Sequence, residues 1–402
     1  MKVQRVVITG LGVVSSLGLG WRTFWNALLA GCSGIREIRY IDTTGFPTHY
    51  GGEVESFNAS DFMSAKAEKR LGRATQFTLA ASRMALDDAG VHQLSDSRIG
   101  ICLGTTMADI QALEEINSTW TDTREHRVRS SLVAKYPSCT MSAGVAWQLG
   151  FTGPNVMIPT ACAAGNYALA YAYDLLCLRK ADLMVAGGAD AFSRIAFMGF
   201  NRLFAVAPER CQPFDRNRKG MIVGEGAGML VLERLEAAEA RRAPIYGEIV
   251  AYGLSCDANH MTIPHIAGVK AAMQNALRAA QISPEEVNYI NAHGTGTPAN
   301  DRTEAQAIRE VFGKHASTLP VSSIKSMIGH AMGAASALES IATILAVKSD
   351  HIPPTINFET PDPECDIDCV PNTSRRQRVS IALKNAFAFG GNNACVVYRK
   401  YS

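Results

Sequence analysis

The sequence predicts an α/β protein with a largely buried, mixed sheet that helices cover. Short apolar, β-branched segments alternate with amphipathic stretches of helical period. Glycine is frequent, at 34 of 402 residues, which favours tight turns and close backbone approaches. With 47% hydrophobic and 19% charged residues, the composition is that of a globular chain rather than a disordered one.

The individual elements follow from these patterns in chain order. Short apolar runs predict strands over residues 3–9, 98–103, 156–158, 183–187, 228–232, 248–254, 289–292, 320–322 and 394–398. Apolar residues at helical spacing predict helices over 21–30, 76–89, 163–180, 269–280, 302–312 and 331–350. Gly10 and Gly12 are interpreted as a turn after the first strand. Residues 105–135 are polar without clear periodicity and are interpreted as an insertion, with a cap over a pocket as one option.

The chain divides most naturally near residue 247, after a charged helix and Pro244. This gives an N-terminal part of residues 1–247 and a C-terminal part of residues 248–402. Both parts contain a strand that runs into a glycine turn, at 98–104 and 289–294, but no residue-level repeat accompanies them. No Pro-rich or Ser-rich linker separates the parts, so we expect them to pack together.

Charge and cysteine usage exclude several function classes. Lys plus Arg number 39 and Asp plus Glu number 37, so the chain as a whole has no charge bias towards nucleic acid. No uncharged apolar stretch reaches the roughly 18 residues of a membrane span. The ten cysteines form no CxxC pair and no zinc pattern, which predicts reduced thiols, a cytoplasmic location and no metal site. Gly10-x-Gly12 lacks the third glycine of a dinucleotide-binding turn.

The sharpest local feature surrounds Cys162, which follows a predicted strand and precedes a predicted helix of small residues. A thiol at a helix N-terminus is stabilised as thiolate by the helix dipole and by free N–H groups. Small neighbours also leave room for a substrate. Taken alone, the segment fits equally well with a buried cysteine that only packs the turn.

Two histidines lie in glycine-rich turns that let the backbone approach a ligand closely. His293 begins a His-Gly-Thr-Gly-Thr segment, and His330 lies within Gly-His-Ala-Met-Gly. Thr295 and Thr297 place two hydroxyls on one side of the first segment.

Three further positions are candidates for the same site. Lys325, five residues before His330, either supplies a nearby charge or is an ordinary loop lysine. Glu339 is expected to be buried among alanines, where a carboxylate needs a partner. Phe389 precedes two glycines, and this turn is either a bare connection or a source of backbone N–H for an oxyanion.

These motifs occur in a recognisable order: Cys162 in TACxxG, His293 in HGTGT, Lys325 in SIKS, His330 in GHxxGAA and Phe389 in FxFGGxN. The chain resembles the β-ketoacyl-acyl-carrier-protein synthases over nearly its whole length, and most closely the elongating type II branch with a Cys-His-His site. The resemblance implies a dimeric thiolase-like fold, with two similar halves in a five-layered αβαβα arrangement.

The resemblance also implies a division of roles. Cys162 would accept an acyl group from the phosphopantetheine arm of an acyl carrier protein. The backbone N–H groups of Cys162 and Phe389 would form an oxyanion hole. His293 and His330 would stabilise the enolate that forms when malonyl thioester loses carbon dioxide. No metal or redox cofactor is implied.

The same comparison places supporting residues around this core. Thr295 and Thr297 would hold the pantetheine arm, and Lys325 and Glu339 would order the site around His330. A basic group that can share a helix face would dock the acidic carrier protein: Lys66, Lys69, Arg70 and Arg73.

Several residues depart from the usual family pattern around the acyl and malonyl pockets. Met221 replaces an aromatic residue, Ala388 interrupts a Gly-Phe-Gly-Gly turn, and residues 204–207 replace a common Arg-Ala-Leu-Ser. Met107 lies where the acyl pocket is usually limited. These changes favour a specialised polyketide or polyene pathway over housekeeping fatty-acid synthesis.

Two other function classes compete with this interpretation. One is a non-catalytic or decarboxylase-only partner subunit in a heterodimer, which the presence of Cys162 disfavours. The other is a thiolase, which needs a second cysteine in a CxGGG-like turn, and Cys395 has no such turn. The dimer is expected to be either a homodimer or a heterodimer with a chain-length-factor-like subunit.

Overall fold

Ten strands form the central β-structure, five from each half of the chain. The computed structural model describes residues 4–92, 98–122 and 128–402. The strands are β1 (Val6–Ser15), β2 (Ile99–Gly104), β3 (Asn155–Ile158), β4 (Leu183–Asp190), β5 (Gly226–Arg234), β6 (Gly247–Cys256), β7 (Tyr289–Asn291), β8 (Val321–Ser322), β9 (Ile381–Phe387) and β10 (Asn392–Arg399). Two-residue strands form small additions at Gly18–Leu19, Arg36–Glu37, Tyr50–Gly51, His351–Ile352 and Arg375–Arg376.

Helices connect and cover these strands. They are α1 (Trp21–Leu29), α2 (Ala65–Arg70), α3 (Arg73–Asp88), α4 (Ile110–Asp122), α5 (Ser130–Val133), α6 (Cys139–Leu149), α7 (Ala164–Cys177), α8 (Arg194–Arg202), α9 (Leu235–Ala240), α10 (Ile266–Ala280), α11 (Pro298–Phe312), α12 (Lys325–Ile328) and α13 (Ala335–Ser349). Short 3₁₀ turns precede α7 and α13 and follow β9, at Ala161–Ala163, Met332–Ala334 and Phe389–Gly391.

The strand order shows that the two halves share one topology. The order is β8-β7-β9-β10-β6 in the second half and, continuing, β1-β5-β4-β2-β3 in the first. In each half three strands run parallel and the remaining two pair antiparallel. The halves meet where β1 pairs antiparallel with β6, for example Val6 with Ile249. The strands β2 and β7, whose sequences resembled each other, occupy equivalent positions.

Helices form three layers around the two sets of strands. On one outer side α3 packs on β1 and β5, and α6 packs on β3 and β2. On the other outer side α10 packs on β6 and β10, with α11 beside it. Between them lie α7 and α13, which each contact strands of both halves. Thirteen consecutive residues of α13, from Ala335 to Val347, are buried, as expected for a helix covered on all sides. The predicted five-layered αβαβα fold is therefore confirmed.

Every predicted strand and helix is present, with shifted ends, but the interpretation of Gly10 and Gly12 as a turn is wrong. Both lie inside β1, which continues to Ser15. A Cβ atom on Gly10 would lie 2.1 Å from the carbonyl oxygen of Ala85, and one on Gly12 would lie 1.8 Å from that of Ala81. These glycines therefore allow α3 to pack directly against the strand.

Two further segments differ from the prediction. The strand β9 was not predicted, because Lys384 and Asn385 interrupt its apolar run. Part of the presumed insertion at 105–135 forms α4, in which Glu114 turns inward to accept a hydrogen bond from Ser193 at 2.9 Å. Residues 123–127 of that insertion lie outside the described residues. Every helix in the described part of the chain is too short or too polar to span a bilayer.

Candidate active site

Cys162 lies at the junction between β3 and the central helix α7. It sits in the 3₁₀ turn Ala161–Ala163, directly before α7, and its side chain is buried with 6% of its surface exposed. The preceding Ala161 has a φ of +50°, a strained conformation for a residue with a Cβ atom. The predicted placement of the thiol at the start of a helix is confirmed.

The surroundings of the Cys162 sulfur act on its proton affinity in opposite directions. Burial raises the pKa of the thiol to about 11, and the Lys325 ammonium and the backbone N–H groups of Cys162 and Phe389 oppose that rise. The sequence predicts the N–H groups that stabilise a thiolate, but it does not predict the burial of the sulfur. Because burial has the larger effect on the pKa, the resting group is the thiol. The two N–H groups that reach the sulfur are those predicted to form an oxyanion hole.

The imidazole rings of His293 and His330 pack edge to face in the same cleft, and their hydrogen bonds indicate which ring nitrogen carries the proton. The Nδ1 atom of His330 accepts a hydrogen bond from the backbone N–H of Met332 at 3.2 Å. The Nδ1 atom of His293 lies 3.5 Å from the Lys325 ammonium, which can only donate. In each neutral ring the proton is therefore on Nε2. Burial, aided by the Lys325 charge, lowers the pKa of both histidines well below the usual value.

Lys325 and Glu339 form a fully buried ion pair beside His293. The Lys325 ammonium also donates to the backbone carbonyl of His293 at 2.6 Å. Within this pair it is Lys325 that contacts His293 directly, whereas it acts on His330 through its charge. The other carboxylate oxygen of Glu339 lies 2.8 Å from the ammonium of Lys384, a buried lysine that was not predicted as a site residue.

Two buried carboxylates that hold the turns of the site were also missed. Glu304 on α11 accepts hydrogen bonds from the backbone N–H groups of His293 and Gly294, each at 2.8 Å. Asp190, at the end of β4, accepts from the N–H of Met107 at 2.8 Å and from that of Gly333 at 2.6 Å. Glu304 lies at the helical spacing of the buried residues in α11, so the sequence could have indicated that it is buried. No comparable pattern in the sequence indicates the role of Asp190.

The cleft in front of Cys162 is lined mainly by apolar side chains and by the predicted threonines. Thr295 and Thr297 both line it, with their hydroxyl oxygens 2.8 Å apart, and Met221 forms part of its wall. Met107 does not line this cleft. Lining residues that the sequence did not single out are Phe200, Met261, Ile263, Asn300 and Phe387. No cluster of three or more His, Cys, Asp or Glu side chains suited to a metal ion occurs among the described residues.

The predicted basic helix face is only partly present. Lys66, Lys69 and Arg70 are exposed on α2. Arg73 does not share that helix, because Gly72 separates α2 from α3. Its guanidinium lies 2.7 Å from the buried carboxylate of Glu225, so Arg73 is a structural residue in this fold.

Comparison with known proteins agrees with this arrangement. Residues 3–238 match the model of the β-ketoacyl synthase N-terminal domain, and residues 246–359 match that of the C-terminal domain. The chain belongs to the β-ketoacyl synthase family. It is therefore an acyltransferase with the thiolase-like fold, as predicted.

Curated relatives match this ketosynthase from end to end. A 3-oxoacyl-[acyl-carrier-protein] synthase 2 of Synechocystis is 40% identical over 412 residues, covering 100% of this chain and 99% of the relative. A protein of the same name from Staphylococcus aureus is 39% identical over 408 residues, covering 99% of each chain.

Solved structures of similar proteins include ketosynthases. The ishigamide ketosynthase/chain length factor superposes with a TM-score of 0.97 at 40% identity, over 99% of this chain and 100% of that chain. A type II polyketide synthase acyl-carrier protein complex with its ketosynthase, AntDE:AntF, gives a TM-score of 0.92 at 33% identity over 100% of both chains.

Proposed function

We propose that this ketosynthase joins an acyl group held on Cys162 to a malonyl group held on an acyl carrier protein, with loss of carbon dioxide. The observation that carries the proposal is that one cleft holds the thiol and two neutral imidazoles, with the Phe389 N–H directed at the sulfur. The product is a β-ketoacyl thioester on the carrier protein.

The first step transfers the acyl group. The Cys162 sulfur attacks the carbonyl carbon of the acyl-carrier thioester, a new carbon–sulfur bond forms, and the pantetheine thiol leaves with the proton. The backbone N–H groups of Cys162 and Phe389 stabilise the oxyanion of the tetrahedral intermediate. Because the resting thiol is protonated, the positive end of α7 and the Lys325 charge act mainly as sulfur becomes anionic.

The second step generates the carbon nucleophile. The bond between the malonyl methylene carbon and its carboxylate breaks, carbon dioxide leaves, and the electron pair forms an enolate. The Nε2–H groups of His293 and His330 donate to the enolate oxygen. Protonation of either ring would place a second N–H against Lys325 or against the Met332 N–H, so the neutral forms are the competent ones.

In the last step the enolate carbon attacks the acyl-Cys162 carbonyl, the bond between that carbonyl and the cysteine sulfur breaks, and the released thiolate takes up one proton from solvent to restore the resting thiol. Release of carbon dioxide supplies the driving force, so the reaction requires no metal or redox cofactor. The phosphopantetheine arm would act as substrate carrier, and Thr295 and Thr297, which line the cleft, would hold it.

The proposed protein partner is an acyl carrier protein, which docks on the exposed Lys66, Lys69 and Arg70 of α2. Acidic carrier proteins would be steered to this face by long-range attraction that salt weakens. We further propose assembly as a dimer, with itself or with a chain-length-factor-like subunit, in the cytoplasm, where the ten free cysteines stay reduced.

A specialised polyketide or polyene pathway is the proposed setting. The similar ketosynthase/chain length factor and the similar ketosynthase bound to a hexaketide support this setting, and the relatives named 3-oxoacyl-[acyl-carrier-protein] synthase 2 support the shared chemistry. The flexible Met221 in the cleft wall, in place of an aromatic ring, favours an acyl group of unusual shape. A non-catalytic partner subunit is disfavoured because Cys162 lies with its oxyanion donors in the cleft.

The experiment is a reconstitution with acyl-loaded and malonyl-loaded carrier proteins, read by mass spectrometry of the carrier. The wild type should produce β-ketoacyl carrier protein, and Cys162→Ala should not. Cys139→Ala, which removes an exposed cysteine on α6, is the matched control and should retain activity. Absence of condensation with every acyl primer in a broad panel would refute the proposed function.

A further inference from the structure

Lys384 is a buried lysine on β9 to which the proposed mechanism assigns no role. It is fully buried, and its neighbours across the sheet are Asn291 on β7 and Val396 on β10. It does not line the cleft. A buried ammonium is costly unless it is paired, so its contacts indicate what it does.

Those contacts join Lys384 to the catalytic histidine through two intermediates. The Lys384 ammonium lies 2.8 Å from Oε2 of Glu339 and also donates to the carbonyl of Asn385. The Oε1 atom of Glu339 pairs with Lys325. Lys325 in turn touches both the carbonyl and the Nδ1 atom of His293. Each oxygen of this buried carboxylate thus faces a different lysine: Oε1 accepts a hydrogen bond from Lys325, and Oε2, which accepts no hydrogen bond, forms an ion pair with Lys384.

Because the two lysines share the Glu339 carboxylate, Lys384 influences the distance between the Lys325 ammonium and the His293 ring. If Lys384 were uncharged, both carboxylate oxygens of Glu339 would be available to Lys325, which would draw its ammonium away from the imidazole. With both lysines charged, the three linked groups keep one net positive charge next to the ring. That charge disfavours a second proton on His293, and both lysines contribute to lowering its pKa.

Other charged groups around His293 do not cancel this arrangement. Seven titratable side chains surround it: Glu304 on α11, Lys325 on α12, His330 before α13, Glu339 on α13 and Lys384 on β9, with Cys162 and His260 lining the same cleft. The Glu304 carboxylate accepts hydrogen bonds from the backbone N–H groups of His293 and Gly294. The charged group next to Nδ1 of His293 is therefore the Lys325 ammonium.

We propose that Lys384 is a positioning residue for His293. By occupying one oxygen of Glu339, it keeps the Lys325 ammonium against Nδ1, so that His293 stays neutral and presents its proton from Nε2 to the cleft. The kinetic consequence rests on the proposed function, whereas the tautomer of His293 is a property of the folded protein alone.

The test uses Lys384→Met, which keeps the length of the side chain and removes its charge. Glu339 keeps Lys325 as a partner, so no buried carboxylate is left unpaired. Lys348→Met is the control, since Lys348 lies in the last turn of the same helix as Glu339 and donates to the carbonyl of Ile245. Both variants are labelled with ¹⁵N-histidine, and long-range ¹H–¹⁵N spectra report the tautomer and titration of His293.

In the wild type and in Lys348→Met we expect a neutral His293 with its proton on Nε2. In Lys384→Met the titration of His293 should move to higher pH by about one unit, a tenfold change in the neutral fraction at low pH. The pH below which the rate of malonyl-carrier decarboxylation falls should rise by the same amount. An unchanged titration in Lys384→Met overturns the inference, and so does a wild-type His293 protonated on Nδ1, a result that needs no variant to fold.

A double variant tests whether the effect passes through Glu339. In a Glu339→Gln background, adding Lys384→Met should move the His293 titration by much less than it does in the wild-type background, because only the direct repulsion by the Lys384 charge is then lost. A full additive shift would overturn the proposed route. If the spectra behave as expected but the wild type does not decarboxylate malonyl-carrier protein, the positioning role stands and the proposed function fails.

Discussion

The imidazole rings of His293 and His330 lie 5.6 Å apart, centroid to centroid, and meet at 84°. Both rings carry their proton on Nε2, and both line the cleft that contains Cys162. In the proposed mechanism the two neutral imidazoles donate to one substrate oxygen, while the thiol attacks the carbonyl of the other substrate. The two half-reactions therefore use different groups of the same cleft, and variants should separate them.

Replacing Cys162 with Ala should abolish condensation but leave measurable decarboxylation of malonyl-carrier protein. Replacing His293 or His330 with Ala should slow decarboxylation by about 10²–10³-fold, as expected for one lost oxyanion donor. Acylation of Cys162 in the histidine variants would be visible as a mass shift of the intact protein. Normal decarboxylation in both histidine variants, or β-ketoacyl product from Cys162→Ala, would contradict this division.

Decarboxylation by Cys162→Ala should be insensitive to pH around 6.5, where an ordinary histidine titrates. Burial lowers the pKa of His293 and His330 well below that value, so the competent neutral form persists as the pH falls and is lost only in more acidic solution. The check is the initial rate of carbon dioxide release across a pH series. A half-loss of rate near pH 6.5 would show that the rings are solvated and would refute this assignment.

Replacing a glycine with alanine should have a different effect on stability inside β1 than on α8. Gly10→Ala and Gly12→Ala should each destabilise the fold by about 3 kcal/mol, because the new methyl group collides with the α3 backbone. Gly199→Ala on α8 is the control: no atom lies within 4 Å of its Cβ position, and alanine favours the helix by roughly 0.5–1 kcal/mol. Denaturant unfolding of the three variants measures these differences. Equal stabilities would disprove the close approach.

Charge reversal on α2 should weaken the carrier protein complex. We expect Lys69→Glu with Arg70→Glu to lower the affinity for acyl-carrier protein at low salt and to flatten its salt dependence, because the steering charges are exposed. Lys180→Glu with Lys314→Glu changes the net charge equally at exposed positions elsewhere and should have a much smaller effect. Equal losses for the two pairs would mean that total charge, and not the α2 surface, controls binding.

Met221 and Ala388 should influence which acyl groups the cleft accepts. Met221→Phe replaces a flexible thioether in the cleft wall with a rigid ring and should shift primer preference or product length. Ala388→Gly loosens the backbone before Phe389, where Ala388 is extended. Competition between acyl primers, followed by mass spectrometry of the products, measures both. An unchanged product distribution in the two variants would remove these positions from substrate selection.

The chemistry of the site was more predictable from the sequence than its support. Cys162, His293 and His330 lie in local motifs with unusual glycine and small-residue neighbours, so each was found by inspection. Asp190 and Lys384 act through partners far away in the chain, and no local spacing reveals such contacts. Arg73 shows the reverse error, because helical spacing joined it to α2 across the break at Gly72.

The fold, too, was predictable where the sequence pattern is local and less so where it depends on distant contacts. Elements with strong periodicity, such as α10 and α13, were placed within a few residues. The strand β9 was missed because its polar residues point into a buried ion-pair network rather than to solvent. Gly10 and Gly12 were misassigned because a glycine that permits close packing and a glycine that permits a turn are identical in sequence.

The connection between the halves has a consequence for synthesis on the ribosome. Cys162 lies in the first half, but the N–H of Phe389, between β9 and β10, reaches its sulfur. Asn166, four residues after the cysteine, donates to the carbonyls of Lys384 and Ala394 on those same strands. The nucleophile is thus translated long before the residues that complete its surroundings. An unfinished chain therefore lacks the Phe389 donor of the proposed oxyanion hole, and we expect acyl transfer to await the final two strands.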